Sequence, residues 1–166
     1  MTQLFDDPRI TAMGLLAEAY TGLSHRISVQ LAEHELSGVE FEVLLRLVRS
    51  PEYSLRMTDL ASQTSLSTSG VTRVVDRLER DGLARRRACD SDRRISYTVI
   101  TERGLARMNE VLPGHLELVE RWFTGVLAPD QLTAVLAGLR TVRDAVRPGA
   151  TSGAEGVAPP RGVRAA

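Results

Sequence analysis

MTDLASQTSLSTSGVTRVVDRLERDGLARRRACDSDRRISYTVIT, residues Met57 to Thr101, is the stretch on which the fold turns. It reads as two short helices around a tight turn, followed by an arginine-rich β-hairpin. The first helix spans about Thr58–Thr64, with Leu60 and Ala61 facing inward. Ser65-Leu66-Ser67 is the turn. Ser67 caps the next helix, because its hydroxyl can accept from the backbone amide of Ser69 or Gly70. Gly82 stops that helix as a left-handed residue, and Leu83 beyond it can touch Leu78. Leu83–Arg87 and Ile95–Ile100 are the hairpin strands, joined by ACDSDRR. Ile95, Tyr97 and Val99 alternate with Ser96 and Thr98, the pattern of a half-buried strand.

Successive residues turn about 100° around a helix. Val71, Val74, Val75 and Leu78 then share one arc, short and mostly β-branched, that can seat on neighbouring helices. Ser69, Thr72, Arg73, Asp76, Arg77 and Arg80 share the opposite side. Small hydroxyls near a helix start allow close approach to bases and phosphates. An arginine can fork onto guanine O6 and N7. The helix start itself favours phosphate oxygens. Taken alone, the pattern also fits an ordinary surface helix with pairs such as Asp76–Arg80. The turn before it and the hairpin after it favour a reader of duplex DNA. The hairpin adds Arg85, Arg86, Arg87, Arg93 and Arg94, partly offset by Asp90 and Asp92. A guanidinium at its tip suits a narrow minor groove, where the negative potential is deepest.

Outward from this unit the chain is helical. A first helix over about Pro8–Glu35 carries Ala12, Leu16, Ala19, Leu23, Ile27 and Leu31 as an apolar stripe, widened by Leu15 and Tyr20. Ser37-Gly-Val-Glu40 is a capping box that opens a second helix with Val39, Phe41, Val43, Leu44, Leu47 and Val48. A short extended piece around Ser54–Arg56 follows Pro51. Thr101 caps a long helix to about Leu127, kinked at Pro113 and lined by Leu105, Met108, Leu112, Leu116, Val119, Phe123 and Val126. Pro129 opens a last helix with Leu132, Val135, Leu136, Leu139, Val142 and Val146. Residues 148–166, rich in Pro, Gly and Ala, have the composition of a disordered tail.

At 166 residues, with 43% hydrophobic and 25% charged residues, the chain reads as one globular domain. No apolar run could span a membrane, and the acidic start lacks a signal-peptide pattern, so a cytoplasmic protein is expected. One cysteine excludes an intrachain disulfide and a thiolate zinc cluster. Net charge is zero, which excludes a globally basic nucleic-acid binder, but placement matters more. From Arg56 to Arg103 there are ten arginines against seven acids, a surplus of three positive charges that the rest of the chain offsets. Every basic residue is arginine, whose planar fork suits phosphate and guanine; genomic codon bias is the simpler source of that choice.

Met57–Thr101 resembles the winged helix-turn-helix of the MarR family of bacterial transcriptional regulators. The resemblance rests on Leu60-Ala61, Leu66-Ser67, the run from Val71 to Arg80, Asp81-Gly82-Leu83, Asp92-Arg93-Arg94, and Val99-Ile100-Thr101 with Gly104. With the flanking helices it covers about residues 8–147. It implies a mainly α fold with a small β-hairpin wing, and three parts before the tail: an N-terminal dimerisation helix (1–36), a DNA-binding lobe (37–101) and C-terminal dimerisation helices (102–147). It implies a homodimer on double-stranded DNA, a pseudo-palindromic operator read in major grooves about 34 Å apart, and action as a repressor. By position, Ser67, Thr68, Ser69, Thr72 and Arg73 resemble the base- and phosphate-contacting set. Arg77 resembles a phosphate clamp. Arg94 resembles the minor-groove arginine with Asp92 holding it, and Arg86 and Arg93 accompany it on the wing. Leu16, Leu23, Leu116, Phe123, Leu132, Leu136 and Leu139 resemble the dimer contacts. Gly70 departs from relatives that carry a hydroxyl there, Thr98 and Ile100 vary a strand usually apolar, and Ala128 lacks the usual capping hydroxyl.

The resemblance also allows release by a small phenolic or other anionic effector, with His25 and Arg26 as candidate contacts beside the plainer reading of a polar surface. Redox sensing by Cys89 is a rival, since neighbouring arginines favour a thiolate. Metal sensing through His34, His115 and Glu33 or Glu35 is another, without a ligand-spacing motif to support it. A winged module without DNA binding is the third. No phosphate loop, nucleophile elbow or clustered acid–base set suggests an enzyme, a cofactor or a catalytic residue.

Overall fold

The computed structural model describes residues 5–64, 66–88 and 95–150. The order is α1 (Pro8–Ala32), α2 (Gly38–Val48), β1 (Ser54–Arg56), α3 (Met57–Gln63), α4 (Thr68–Arg80), β2 (Ala84–Ala88), β3 (Ser96–Ile100), α5 (Glu102–Trp122) and α6 (Pro129–Val146). A mainly helical chain with a small antiparallel sheet, the winged helix-turn-helix arrangement, is what forms.

Local signals set most element ends. Asp7 caps α1, accepting from the Arg9 amide at 2.8 Å, with Pro8 in the first turn. Regular helix stops at Ala32 rather than Glu35. The Leu36 amide bonds the Leu31 carbonyl at 3.1 Å and the Glu35 amide bonds Ala32 at 3.1 Å, which closes a Schellman end with Glu35 at φ 56°. The capping box at Ser37 and Glu40 forms in both directions. Thr101 accepts from the Gly104 amide at 3.0 Å and opens α5. That helix runs unbroken through Pro113 but ends at Trp122, five residues before the expected end. Phe123 leaves the helical region at φ −133°, ψ −71°, and a 3₁₀ turn over Thr124–Val126 follows. Ala128 offers no side-chain cap to α6. Its amide instead donates to Gln131 Oε1 at 3.0 Å, half of a capping box.

The sheet differs most from expectation. The extended piece Ser54–Arg56 pairs antiparallel with β3, so the order is β1-β3-β2 and β3 lies in the middle. Its core side is the one carrying Thr98 and Ile100, one residue out of phase with the expected Ile95-Tyr97-Val99 face. Thr98 is fully buried, with its hydroxyl 3.0 Å from the Met57 sulfur, and Ile100 joins the main core. Val99 is also buried, while Ile95 and Tyr97 are half-buried. Apolar alternation could not show that α3 begins over the other face.

The core lies between α2, α4, the sheet and the first half of α5. Phe41, Val43, Leu44 and Leu47 from α2 meet Leu60, Val71, Val74, Val75, Leu78, Ile100, Met108 and Val111. The expected seating face of α4 is its buried face. Where α4 ends, the Leu83 amide bonds the Leu78 carbonyl at 2.8 Å and Gly82 takes φ +71°. The Leu83 carbonyl then accepts from the Thr101 amide at 3.0 Å. A Cβ on Gly104 would lie 2.1 Å from that same carbonyl oxygen and 2.6 Å from the Ile100 side chain. Gly104→Ala must therefore push α5 off the turn. We expect it to destabilise the fold by about 1–3 kcal/mol, read as a lower urea midpoint, while Gly114→Ala on the same helix leaves the midpoint within a few tenths of a molar unit of urea.

Candidate nucleic-acid interface

The N-terminal edge of α4 presents a row of hydroxyls. Ser67 Oγ accepts from the Gly70 amide at 3.1 Å and lies 3.1 Å from Ser69 Oγ. Thr72 Oγ1 donates to the Thr68 carbonyl at 3.0 Å, which leaves its lone pairs outward. Thr68, Ser69, Thr72 and Arg73 are all exposed. Arg73 makes no side-chain hydrogen bond or ion pair among the described residues.

Arg77 is held from behind. Its Nε donates to Glu40 Oε1 at 2.7 Å, across 37 residues of sequence. The side chain stays 43% exposed, so the outer fork of the guanidinium still faces solvent. Glu40 itself is nearly buried, at 11% side-chain exposure. Burial works against its ionisation. The Ser37 hydroxyl and amide and the Arg77 guanidinium outweigh burial and hold the carboxyl below its ordinary value of 4.5. From the sequence Glu40 was legible only as the partner of Ser37. One carboxylate thus caps α2 and aims an arginine on α4.

Arg86, expected to accompany the wing's DNA contacts, spends its guanidinium on the protein. Nη2 donates to Asp76 Oδ1 at 2.7 Å and to the Thr72 carbonyl at 3.3 Å, and Nη1 pairs with Glu79 Oε2. The other arginines of β2 lie on the opposite sheet face. Arg87 and Arg56 flank the Tyr97 ring at 5.8 and 5.7 Å from its centroid, and Arg56 Nε donates to the Tyr97 hydroxyl at 3.1 Å. Cys89, Asp92, Arg93 and Arg94, on which the wing-tip and redox readings rest, lie outside the described residues.

The flanking helices gather other groups. Arg26 stacks its guanidinium 3.7 Å from the centre of the Trp122 ring, and His25 is exposed. Neither lines the cleft of about 450 Å³ bounded by Glu35, Arg80, Asp81, Leu83, Arg103 and Arg107. His115 was named in the sequence only for metal. It packs on Phe41 with ring centroids 4.6 Å apart, and burial lowers its pKa. Among the described residues its Nδ1, like Gln30 Oε1, is buried without a hydrogen-bond partner. Gln30 reaches the Val111 carbonyl one turn away on α5. Among the described residues no three His, Cys, Asp or Glu side chains are grouped to hold a metal ion. No helix among them is long and apolar enough to cross a membrane.

This is the frame of a winged-helix regulator, and similarity to known proteins makes the class specific. A sequence profile of the MarR family matches residues 34–95. AbsC, a MarR family transcriptional regulator from Streptomyces coelicolor, is 34% identical and superposes with a TM-score of 0.81 over 86% of this chain and 96% of its own. Sco3205, a MarR family regulator from the same organism solved in complex with DNA, is 29% identical, with a TM-score of 0.79 over 83% of this chain and 87% of its own. The HTH-type transcriptional regulator MhqR of Bacillus subtilis (strain 168) is 27% identical over 77% of this chain and 86% of its own length. The chain belongs to the MarR family of transcriptional regulators.

The Glu40 geometry sets a pH dependence. A carboxyl with a lowered folded pKa stabilises the fold above its unfolded value, and that contribution disappears as pH falls through the folded value. Chemical denaturation between pH 7 and pH 3 should show Glu40→Gln less stable than the parent at pH 7. The gap should narrow steadily below pH 4.5.

Proposed function

We propose that this protein is a sequence-specific, duplex-DNA-binding transcriptional repressor that acts as a homodimer on a pseudo-palindromic operator. The observation that carries the reading is the exposed edge of α4. Ser69, Thr72 and Arg73 stand clear of the protein on a helix whose other face is fully seated. Ser67, Thr68, Ser69, Thr72 and Arg73 are the groups we assign to base edges and nearby phosphates, and Arg77 to a phosphate. The complex of Sco3205 with DNA supports a DNA partner for this chain.

The dimer rests on the outer helices. α6 has no buried residue at all, and Leu16, Leu116 and Leu139 are 45%, 62% and 41% exposed. Leu23, Phe123, Leu132 and Leu136 are half-buried around them. Apolar faces of this extent on α1, α5 and α6 call for a partner, and a second copy with the same faces supplies one. Release by a small phenolic or other anionic molecule is the regulatory part of the proposal. It draws support from Gln30 Oε1 and His115 Nδ1, two unsatisfied polar atoms where α1, α2 and α5 meet.

Selection of bound sequences from random duplex DNA tests the central reading. Enrichment of a two-fold site with half-sites about one helical turn apart supports it, and no enrichment sinks it. On the selected site, Arg73→Ala should cost about 1–3 kcal/mol of discrimination at one base pair. Arg77→Ala should weaken every duplex alike and make the salt slope shallower by about 0.9 per site. Sedimentation should show a dimer for the parent and a monomer for Leu139→Asp. For regulation, a panel of phenolic acids should raise the melting temperature and weaken operator binding, and the absence of both effects would count against an effector of that class.

A further inference from the structure

Exposed carboxylates on a helix laid against DNA are repelled by its phosphates, yet α4 carries two on one flank. Asp76 is 57% and Glu79 30% exposed at the side chain. Both are turned to one group. Arg86 on β2 bridges Asp76, Glu79 and the Thr72 carbonyl with its guanidinium, and its backbone amide donates to Glu79 Oε1 at 2.6 Å. The pairing of Arg86 with Thr98 puts it on the sheet face that looks at the helices, whereas Arg85 and Arg87 pair with Val99 and Tyr97 on the other. One residue of the wing is therefore bound at three points spread over two turns of α4. A planar fork can span such a set and a point charge cannot.

We propose that Arg86 is a positioning residue: it fixes the angle between the wing and α4 by holding Asp76 and Glu79 together, it offsets one of their two negative charges, and it does not itself contact DNA. The assignment rests on the DNA-binding reading above. In it, the two acids are present to hold the wing, and the guanidinium between them halves their charge before the helix meets phosphate. Operator binding then depends on the clamp, because a wing and a helix locked together engage adjacent grooves in one register. Binding to unrelated duplexes depends mainly on total charge.

This predicts an effect opposite in sign to simple electrostatics. The double variant Asp76→Asn/Glu79→Gln removes two negative charges from the DNA-facing helix. If charge alone mattered, it would bind all duplexes more tightly. With a clamp, its affinity for the selected operator falls at least about tenfold, while its affinity for an unrelated duplex holds or rises, so the specificity ratio collapses. Hydrogen exchange of the Arg86 amide in the free protein should quicken in the same variant. Arg86→Lys should recover only part of the ratio lost in Arg86→Gln. Asp76→Asn alone, which leaves the Glu79 bonds in place, gives a smaller loss in the same direction and serves if the double variant does not fold. Tighter binding to both duplexes, or an unchanged ratio, would overturn the assignment of Arg86. Failure of the parent protein to select any operator would instead overturn the DNA-binding reading itself.

Discussion

The carbonyl of Leu83 holds this structure together at one point. It accepts from the Thr101 amide and abuts the bare α-carbon of Gly104. One residue earlier, the Gly82 carbonyl accepts from the Thr101 hydroxyl at 2.7 Å. The end of α4, the start of β2 and the start of α5 are thereby fixed to one another within a few atoms. A left-handed glycine is needed for the turn, and a second glycine lets the helix come close enough to touch it. Every other relation in the lobe follows: the wing leaves at a set angle, β3 returns to Thr101, and α4 presents its outer edge.

Burial is arranged to match. The core under α4 is made of small branched side chains, Val71, Val74 and Val75, closed by Leu78. Their stiff rotamers allow little rocking of the helix. Polar ties then set its direction. Glu40 reaches from α2 to Arg77, and Arg86 reaches from β2 to the other flank. The helix is gripped on two sides by ion pairs that also satisfy backbone amides, which makes them more constraining than isolated surface pairs.

What could be read from the sequence was what is local in it. Ser37 with Glu40, Ser67, Gly82 with Leu83, and Thr101 are caps and turns whose partners lie within five residues, and all formed as their chemistry dictates. The seating face of α4 was legible because 3.6-residue periodicity leaves one solution for four apolar side chains. The candidate hydroxyls were legible for the same reason, since they occupy the remaining arc. The other features depend on contacts between distant residues. Nothing near Ser54 announces a partner 45 residues on at Val99. Nothing near Thr98 says that Met57 will cover it. Arg86 looked like one of five similar arginines until the register placed it over Asp76 and Glu79, and the second role of Glu40 required Arg77 to arrive from another helix.

α5 starts at the Leu83 junction and runs 21 residues, about 31 Å at 1.5 Å per residue. Its first turn is pinned and its far end, near Trp122, carries exposed apolar surface and stacks Arg26 of α1. Such an arrangement is a lever with its fulcrum beside the end of α4. A tilt of about 3° about the fulcrum moves the far end by roughly 1.6 Å, on the order of a van der Waals radius, at that length. Mechanical gain runs both ways along it: a small shift in packing at the distal end returns to the fulcrum as a small, stiff rotation of the lobe. The scaffold converts displacement at the far end of α5 into angle at its pinned one.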